Sequence, residues 1–160
     1  MKQIYQIAEV ELSYKTSIKK EDRHKITSSE DAYDILMKTF REGTIEYKEF
    51  FKVLMLNQAN EVVGYSAISE GGISGCIVDV RVILQAALLS NASGIIIAHN
   101  HPGGNLVASE QDLSITKKIK EGAKLIDINL LDHLILTSES YLSLRSEEHT
   151  SELQSLAYLV

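Results

Sequence analysis

Apolar residues recur along this chain with two different periods, and the switches between them lay out a series of strands and helices. Ile4 to Tyr14 alternates apolar and polar side chains like a half-buried strand, and Ile18 to Lys25 follows as a charged connection. Ser28-Ser29-Glu30-Asp31 then opens an amphipathic helix that runs to about Phe40. Phe50 to Leu56 and Val62 to Ser69 read as strands joined by the hairpin-like turn Asn57-Gln58-Ala59-Asn60. Asp79 caps a helix that ends near Ser90, and the β-branched run Gly94-Ile95-Ile96-Ile97-Ala98 reads as a buried strand. A further helix begins after Ser109, and Ile126 to Thr137 with Tyr141 to Leu144 closes the sheet. This order predicts an α/β domain, a mixed β-sheet packed between helices, without internal repeats.

The chemistry concentrates where the buried strand ends. Side chains alternate along a strand, so His99 and His101 point the same way. Pro102, Gly103 and Gly104 break the strand, and the chain turns through Asn105 to Ala108 before a helix whose first turn carries Ser109 and Asp112. Asp112 can therefore fold back toward the two imidazoles. Two neutral nitrogens and a carboxylate leave one position of a tetrahedral Zn²⁺ free for water, as in a catalytic site with one Zn²⁺ per chain. Ser109-x-x-Asp112 is also the pattern of a helix capping box, and the two roles are compatible.

His99-x-His101-Pro102-x-Gly104, followed by Ser109-x-x-Asp112, resembles the signature of the JAMM (MPN+) metalloprotease superfamily. Gly71-Gly72-Ile73-Ser74-Gly75, Val78-Asp79-Val80-Arg81, the Ala-rich helix to Ala92, Ala98-His99-Asn100-His101-Pro102 and Leu131-Asp132-His133-Leu134-Ile135-Leu136 resemble, in order, its RadC-like branch. The likeness covers residues 1 to 144. In two places the chain departs from it: Gly103 stands where the branch usually has serine, and Ala108 where it often has proline. Neither change removes a ligand, although losing the proline loosens the turn that aims Ser109.

The resemblance implies a JAB/MPN domain of cytidine-deaminase-like architecture, with His99, His101 and Asp112 as metal ligands. It also implies a glutamate from an earlier strand that holds and deprotonates water. Glu49, just before Phe50 to Leu56, fits that register, with Glu46 and Glu70 as competitors. Ser109 would donate a hydrogen bond to the oxyanion of an amide under attack. The implied activity is that of a zinc-dependent hydrolase, a metallopeptidase or isopeptidase whose peptide or isopeptide substrate the sequence does not name. Asp132 and His133 lie in one strand and face opposite sides, so only one of them faces the site; a buried histidine paired to backbone is the ordinary role for His133, with ligation of the metal and support of a ligand as the alternatives. Deaminase chemistry on the same architecture is disfavoured, because its Pro-Cys-x-x-Cys ligands are absent and the chain has one cysteine.

Composition narrows the alternatives. With 160 residues, 44% of them apolar, the chain suits one core. The expected domain occupies residues 31–144, with residues 1–30 as its own N-terminal strand and connection. Sixteen basic against twenty-two acidic residues give a net charge of −6, which disfavours a broad surface for duplex DNA. Local clusters remain at Lys15 to Lys25 and on the helix bearing Lys117, Lys118, Lys120 and Lys124. A DNA-associated repair or recombination factor, or a metal-dependent nuclease, is thus the second hypothesis. The longer RadC-like proteins carry a helix-hairpin-helix module for which a chain starting with the strand Ile4 to Tyr14 leaves no room. A non-catalytic MPN scaffold is the third. The lone Cys76 and the lack of a long apolar run suggest a cytoplasmic protein outside the membrane. Residues 145–160, from Arg145-Ser146-Glu147-Glu148-His149 onward, read as the translation of a sequencing-library adapter; they are expected to be a non-native tail, and His149 is not counted as a ligand.

Overall fold

The computed structural model describes residues 6–72 and 75–145. Its ordered elements are α1 (Ser29–Met37), β1 (Phe50–Leu56), β2 (Val62–Glu70), α2 (Val80–Leu89), β3 (Gly94–Asn100), α3 (Glu110–Leu125), β4 (Asn129–Leu136) and β5 (Tyr141–Ser143). The strands form one sheet in the order β2-β1-β3-β4-β5. β1 pairs antiparallel with both β2 and β3, β3 pairs parallel with β4, and β5 returns antiparallel. The parallel pair is joined by α3, whose length supplies the crossover that such a pair requires.

Strand alternation sorts the core into two layers. Phe51, Val53 and Met55 of β1 pack with Ile95 and Ile97 of β3 beneath Ile83 and Ala87 of α2 and Ile119 and Ala123 of α3. Leu54, Leu56, Ile96, Ala98, Leu134 and Leu136 face the other way, against Ala32 and Leu36 of α1. The sheet is therefore covered on both faces, as the sequence pattern predicts, and every residue of β3 is buried. Helix starts follow ordinary chemistry: Ser28 accepts from Asp31 N–H, and Asp79 accepts from Arg81 N–H. No helix among the described residues is long and apolar enough to cross a membrane.

The N-terminal strand is the exception. Residues 6–14 adopt no strand, and Ile7, Val10 and Leu12 are 85%, 82% and 79% exposed. Alternation makes a segment amphipathic, but a strand also needs a partner backbone for its hydrogen bonds, and this segment pairs with none among the described residues. Contact with the sheet begins at the charged connection, where Val62 N–H donates to His24 O and Lys25 bridges Glu61. The tail beyond Arg145, including His149, lies outside the described residues.

One buried charge was hidden inside an apolar run. Lys52 of β1 is only 5% exposed. Its Nζ donates to Thr39 O and Thr39 Oγ1, both at 2.9 Å, and lies 3.7 Å from the centre of the Phe40 ring. Burial pushes the amine down from 10.5 to about 8, against the opposing pull of Glu70. The unfolded chain thus binds more protons than the folded one between those values, so stability rises with pH across that window. The gap corresponds to at most about 3 kcal/mol, since the aromatic face favours the cation. Lys52→Met is expected to flatten the rise in urea-unfolding free energy between about pH 8 and pH 10. Parallel pH profiles for the two proteins would assign the rise to other groups.

Candidate metal centre

β3 delivers its two histidines to one side by alternation, and the turn after it returns the chain to the same place. His101 N–H donates to Leu136 O at 2.9 Å, which extends the parallel pairing by one residue and holds the second imidazole at the sheet end. Gly104 takes a positive φ of 83° and donates its N–H to His101 O at 3.0 Å, closing a tight turn that an L side chain would strain. At Gly103 a Cβ would meet nothing within 4 Å, so a small side chain such as serine fits there without rearrangement. Ser109 then caps α3 in a complete capping box: its Oγ accepts from Asp112 N–H at 3.0 Å, and Asp112 Oδ2 accepts from Ser109 N–H at 2.8 Å. The cap turns the Asp112 carboxylate back toward the strand end.

Three side chains converge there. Asp112 Oδ1 lies 3.2 Å from His99 Nε2, Asp112 Oδ2 lies 3.6 Å from His101 Nε2, and the two Nε2 atoms are 3.0 Å apart. Each of the three offers a ligand atom, and all of these lie within 4.8 Å of one another. His101 Nδ1 faces Asn105 O at 2.9 Å; a carbonyl can only accept, so Nδ1 carries a proton, and the neutral form of the ring has its lone pair on Nε2. The donor set fits a divalent cation of the kind bound by imidazole and carboxylate. Burial would raise the Asp112 carboxyl, but hydrogen bonding to His101, His99 and the Ser109 amide holds it well below the usual range. The same bond to Asp112 lifts His101 above the ordinary histidine value despite its burial.

The three candidate ligands stand on the wall of a cavity of about 700 Å³, with Glu49, Phe51, Cys76, Ser109 and Lys118 among its lining. Of the three glutamates considered from sequence, Glu49 alone lines it. Glu46 accepts from Ser138 Oγ at 2.7 Å, and Glu70 pairs with Lys48 at 2.7 Å. Glu49 is held by its backbone on both sides. Gly71 N–H donates to Glu49 O at 2.8 Å, and a Cβ at Gly71 would sit 1.9 Å from Gly75 O, so only glycine permits this approach.

The residue between the two histidines was missed by sequence reasoning. Asn100 is fully buried on the opposite face of β3, where its Oδ1 accepts from Phe50 N–H at 2.7 Å. Its Nδ2 donates to Ile45 O at 2.7 Å and Lys48 O at 2.9 Å. One amide side chain thus grips the backbone before and after Glu49, and a polar residue interrupting a buried strand was the available signal.

Asp132 and His133 divide as alternation requires. Asp132 faces α1, where it accepts from Ser29 Oγ at 2.6 Å and from Ser143 Oγ at 2.8 Å. His133 faces the cluster of His99, His101 and Asp112. Its ring does not pair with backbone, as an ordinary buried histidine would, but with two side chains: Nε2 is 2.8 Å from His99 Nδ1, and Nδ1 is 2.5 Å from Thr116 Oγ1. Burial pushes its imidazole down to about 3, with a further push from His99. Thr116 also went unnoticed in the sequence, though its place four residues after Asp112 puts both on one helix face.

A mixed sheet between helices, with a His-x-His and Asp ligand set at the end of a central strand, is the architecture of a JAB/MPN metal-site domain. The chain belongs to the family of RadC-like JAB domains, which it matches over residues 26–150. It is 45% identical over 123 residues to a UPF0758 protein of Flavobacterium johnsoniae, covering 77% of this chain and 52% of the relative. A UPF0758 protein of Clostridium acetobutylicum is 40% identical over 123 residues, 77% of this chain and 52% of the relative. One from Methanococcoides burtonii is 35% identical over 142 residues, 88% of this chain and 61% of the relative. The chain thus spans little more than half the length of these curated relatives.

Proposed function

We propose that this domain is a zinc-dependent hydrolase of the JAMM type, a metallopeptidase or isopeptidase acting on a peptide or isopeptide substrate. What carries the proposal is the convergence of two imidazole nitrogens and one carboxylate within 4.8 Å, on the wall of a cavity that also presents Glu49 and Ser109. Three protein ligands leave a position for water, as catalytic rather than structural zinc sites do. A bound Zn²⁺ supplies Lewis acidity, which brings the pKa of water from about 15.7 toward about 7.

The chain's own residues supply the rest. His99, His101 and Asp112 hold the cation. Glu49 takes a proton from the attacking water and returns it to the departing amine, a general acid–base contribution of about 10²- to 10⁴-fold. The Ser109 hydroxyl accepts from Asp112 N–H with its oxygen, which leaves its proton free for the oxyanion of the amide under attack. Its position at the N-terminus of α3 adds the positive end of the helix dipole. Phe51, Val78 and Ile115 line the same cavity and offer apolar contact to the substrate.

The test is metal analysis of the purified full chain, followed by hydrolysis of peptide and isopeptide panels with and without chelator. About one zinc per chain, with hydrolysis that chelation abolishes and zinc restores, is the expected result. A folded chain that takes up no stoichiometric divalent metal would overturn the proposal.

A further inference from the structure

We infer that Lys118 makes the cavity selective for a substrate with a carboxylate about two or three residues from the bond to be cut, an inference that rests on the peptidase function proposed for this domain. The four lysines of α3 form one cluster in the sequence, but the fold divides them. At about 100° per residue, Gln111, Ser114, Ile115 and Lys118 fall within a stripe about 100° wide. All four line the cavity that holds His99, His101 and Asp112. Thr116, Ile119 and Ala123 are buried on a second arc of the helix. Lys117, Lys120 and Lys124 fall on a third and do not line the cavity.

Among the described residues Lys118 is the only lysine or arginine on the cavity wall, and it enters no hydrogen bond or ion pair. Asp79 feels its charge, but that carboxylate is already bonded to Arg81 Nη2 at 3.0 Å. The ammonium is therefore available to a ligand, and a carboxylate would give it a charge-assisted hydrogen bond. Its place along α3 sets the spacing. Between Asp112 and Lys118 the helix rises about 9 Å, and helical side chains lean toward the N-terminus, which brings the ammonium back toward the cluster. A peptide laid extended along the stripe advances about 3.3 Å per residue. With its scissile amide at the cluster, it meets Lys118 about two or three residues away. Either an acidic side chain or the C-terminal carboxylate of a short peptide supplies the required group.

The experiment is affinity selection from a randomised synthetic peptide library, made in C-terminal acid and C-terminal amide forms, on the full chain carrying Glu49→Gln to suppress turnover. Retained peptides are sequenced by mass spectrometry. Asp or Glu enriched at one fixed position in both pools assigns the carboxylate to a side chain, and retention confined to the acid pool assigns it to the chain end. Adding Lys118→Glu is expected to move the side-chain preference to Lys or Arg, or to abolish the advantage of the acid pool. The selected peptide then loses one attraction and meets an equal repulsion, so fluorescence anisotropy should show binding about 2- to 30-fold weaker, with Lys118→Arg retaining affinity. Because Lys118 is exposed, the unfolding midpoint should not move with Lys118→Glu, which separates charge recognition from misfolding. An acidic preference that survives charge reversal, a retained pool with no anionic preference, or no retained peptide would overturn the inference. Selected peptides that the wild-type chain leaves uncut would remove the hydrolase reading and leave Lys118 selectivity standing; cleavage without charge preference would do the reverse.

Discussion

Asp112→Ala is expected to reduce bound metal from about one per chain to background, and hydrolysis falls with it. The substitution removes the only anionic member of the ligand cluster and leaves two imidazoles 3.0 Å apart with no negative charge between them. It also removes half of a capping box, because Ser109 N–H loses the carboxylate that accepts from it at 2.8 Å. Loss of such a cap costs about 0.5–2 kcal/mol, too little to unfold an ordinary domain. Asp112→Asn separates the two effects. Its amide oxygen still accepts from Ser109, so α3 keeps its start, but the charge that attracts the cation is gone. The expected order of zinc affinity is wild type, then Asp112→Asn, then Asp112→Ala, measured by plasma mass spectrometry and chelator competition. Stoichiometric metal retained by a folded Asp112→Ala chain would place the ion elsewhere.

Glu49→Gln should leave metal content and unfolding midpoint unchanged while lowering kcat by about 10²- to 10⁴-fold. The separation is expected because the main chain around Glu49 is fixed by contacts its carboxylate does not make. Gly71 N–H holds its carbonyl, and Asn100 holds Lys48 O and Phe50 N–H on either side. An amide of the same shape therefore stays in place and loses only the ability to take and return a proton. Glu46→Gln and Glu70→Gln are the controls, since those carboxylates are engaged with Ser138 and Lys48 and do not line the cavity. A Glu49→Gln protein with wild-type turnover would move the proton relay to another group.

The convergence of His99, His101 and Asp112 was legible in the sequence because the three are close along the chain. Alternation places His99 and His101 on one side, glycine and proline end the strand, and a capping box orients Asp112, all within a local stretch whose geometry is nearly dictated by residue type. The central strands were legible for a similar reason: their apolar runs are bounded by turn residues. What could not be read depends on register. His133 meets His99 because β3 and β4 pair in parallel with Ile97 opposite His133, across a separation of 34 residues. Neither residue type nor spacing announces that pairing. Lys52 was passed over because one lysine barely disturbs an apolar run, although folding buries it against Phe40. The segment up to Tyr14 erred in the opposite direction, since its alternation is real and the partner strand it would need is not found among the described residues.

Asn100 makes the tripeptide His99-Asn100-His101 a two-sided object. Its outer members address the cavity and its centre addresses the loop that carries Glu49. A library randomised at position 100 alone would keep both imidazoles, yet few members should combine metal uptake with turnover, because an apolar substitute takes away the side-chain partner of two carbonyls and an amide. Tolerance to variation at this site is thus expected to be set as much by a residue that faces away from the cluster as by the three that form it.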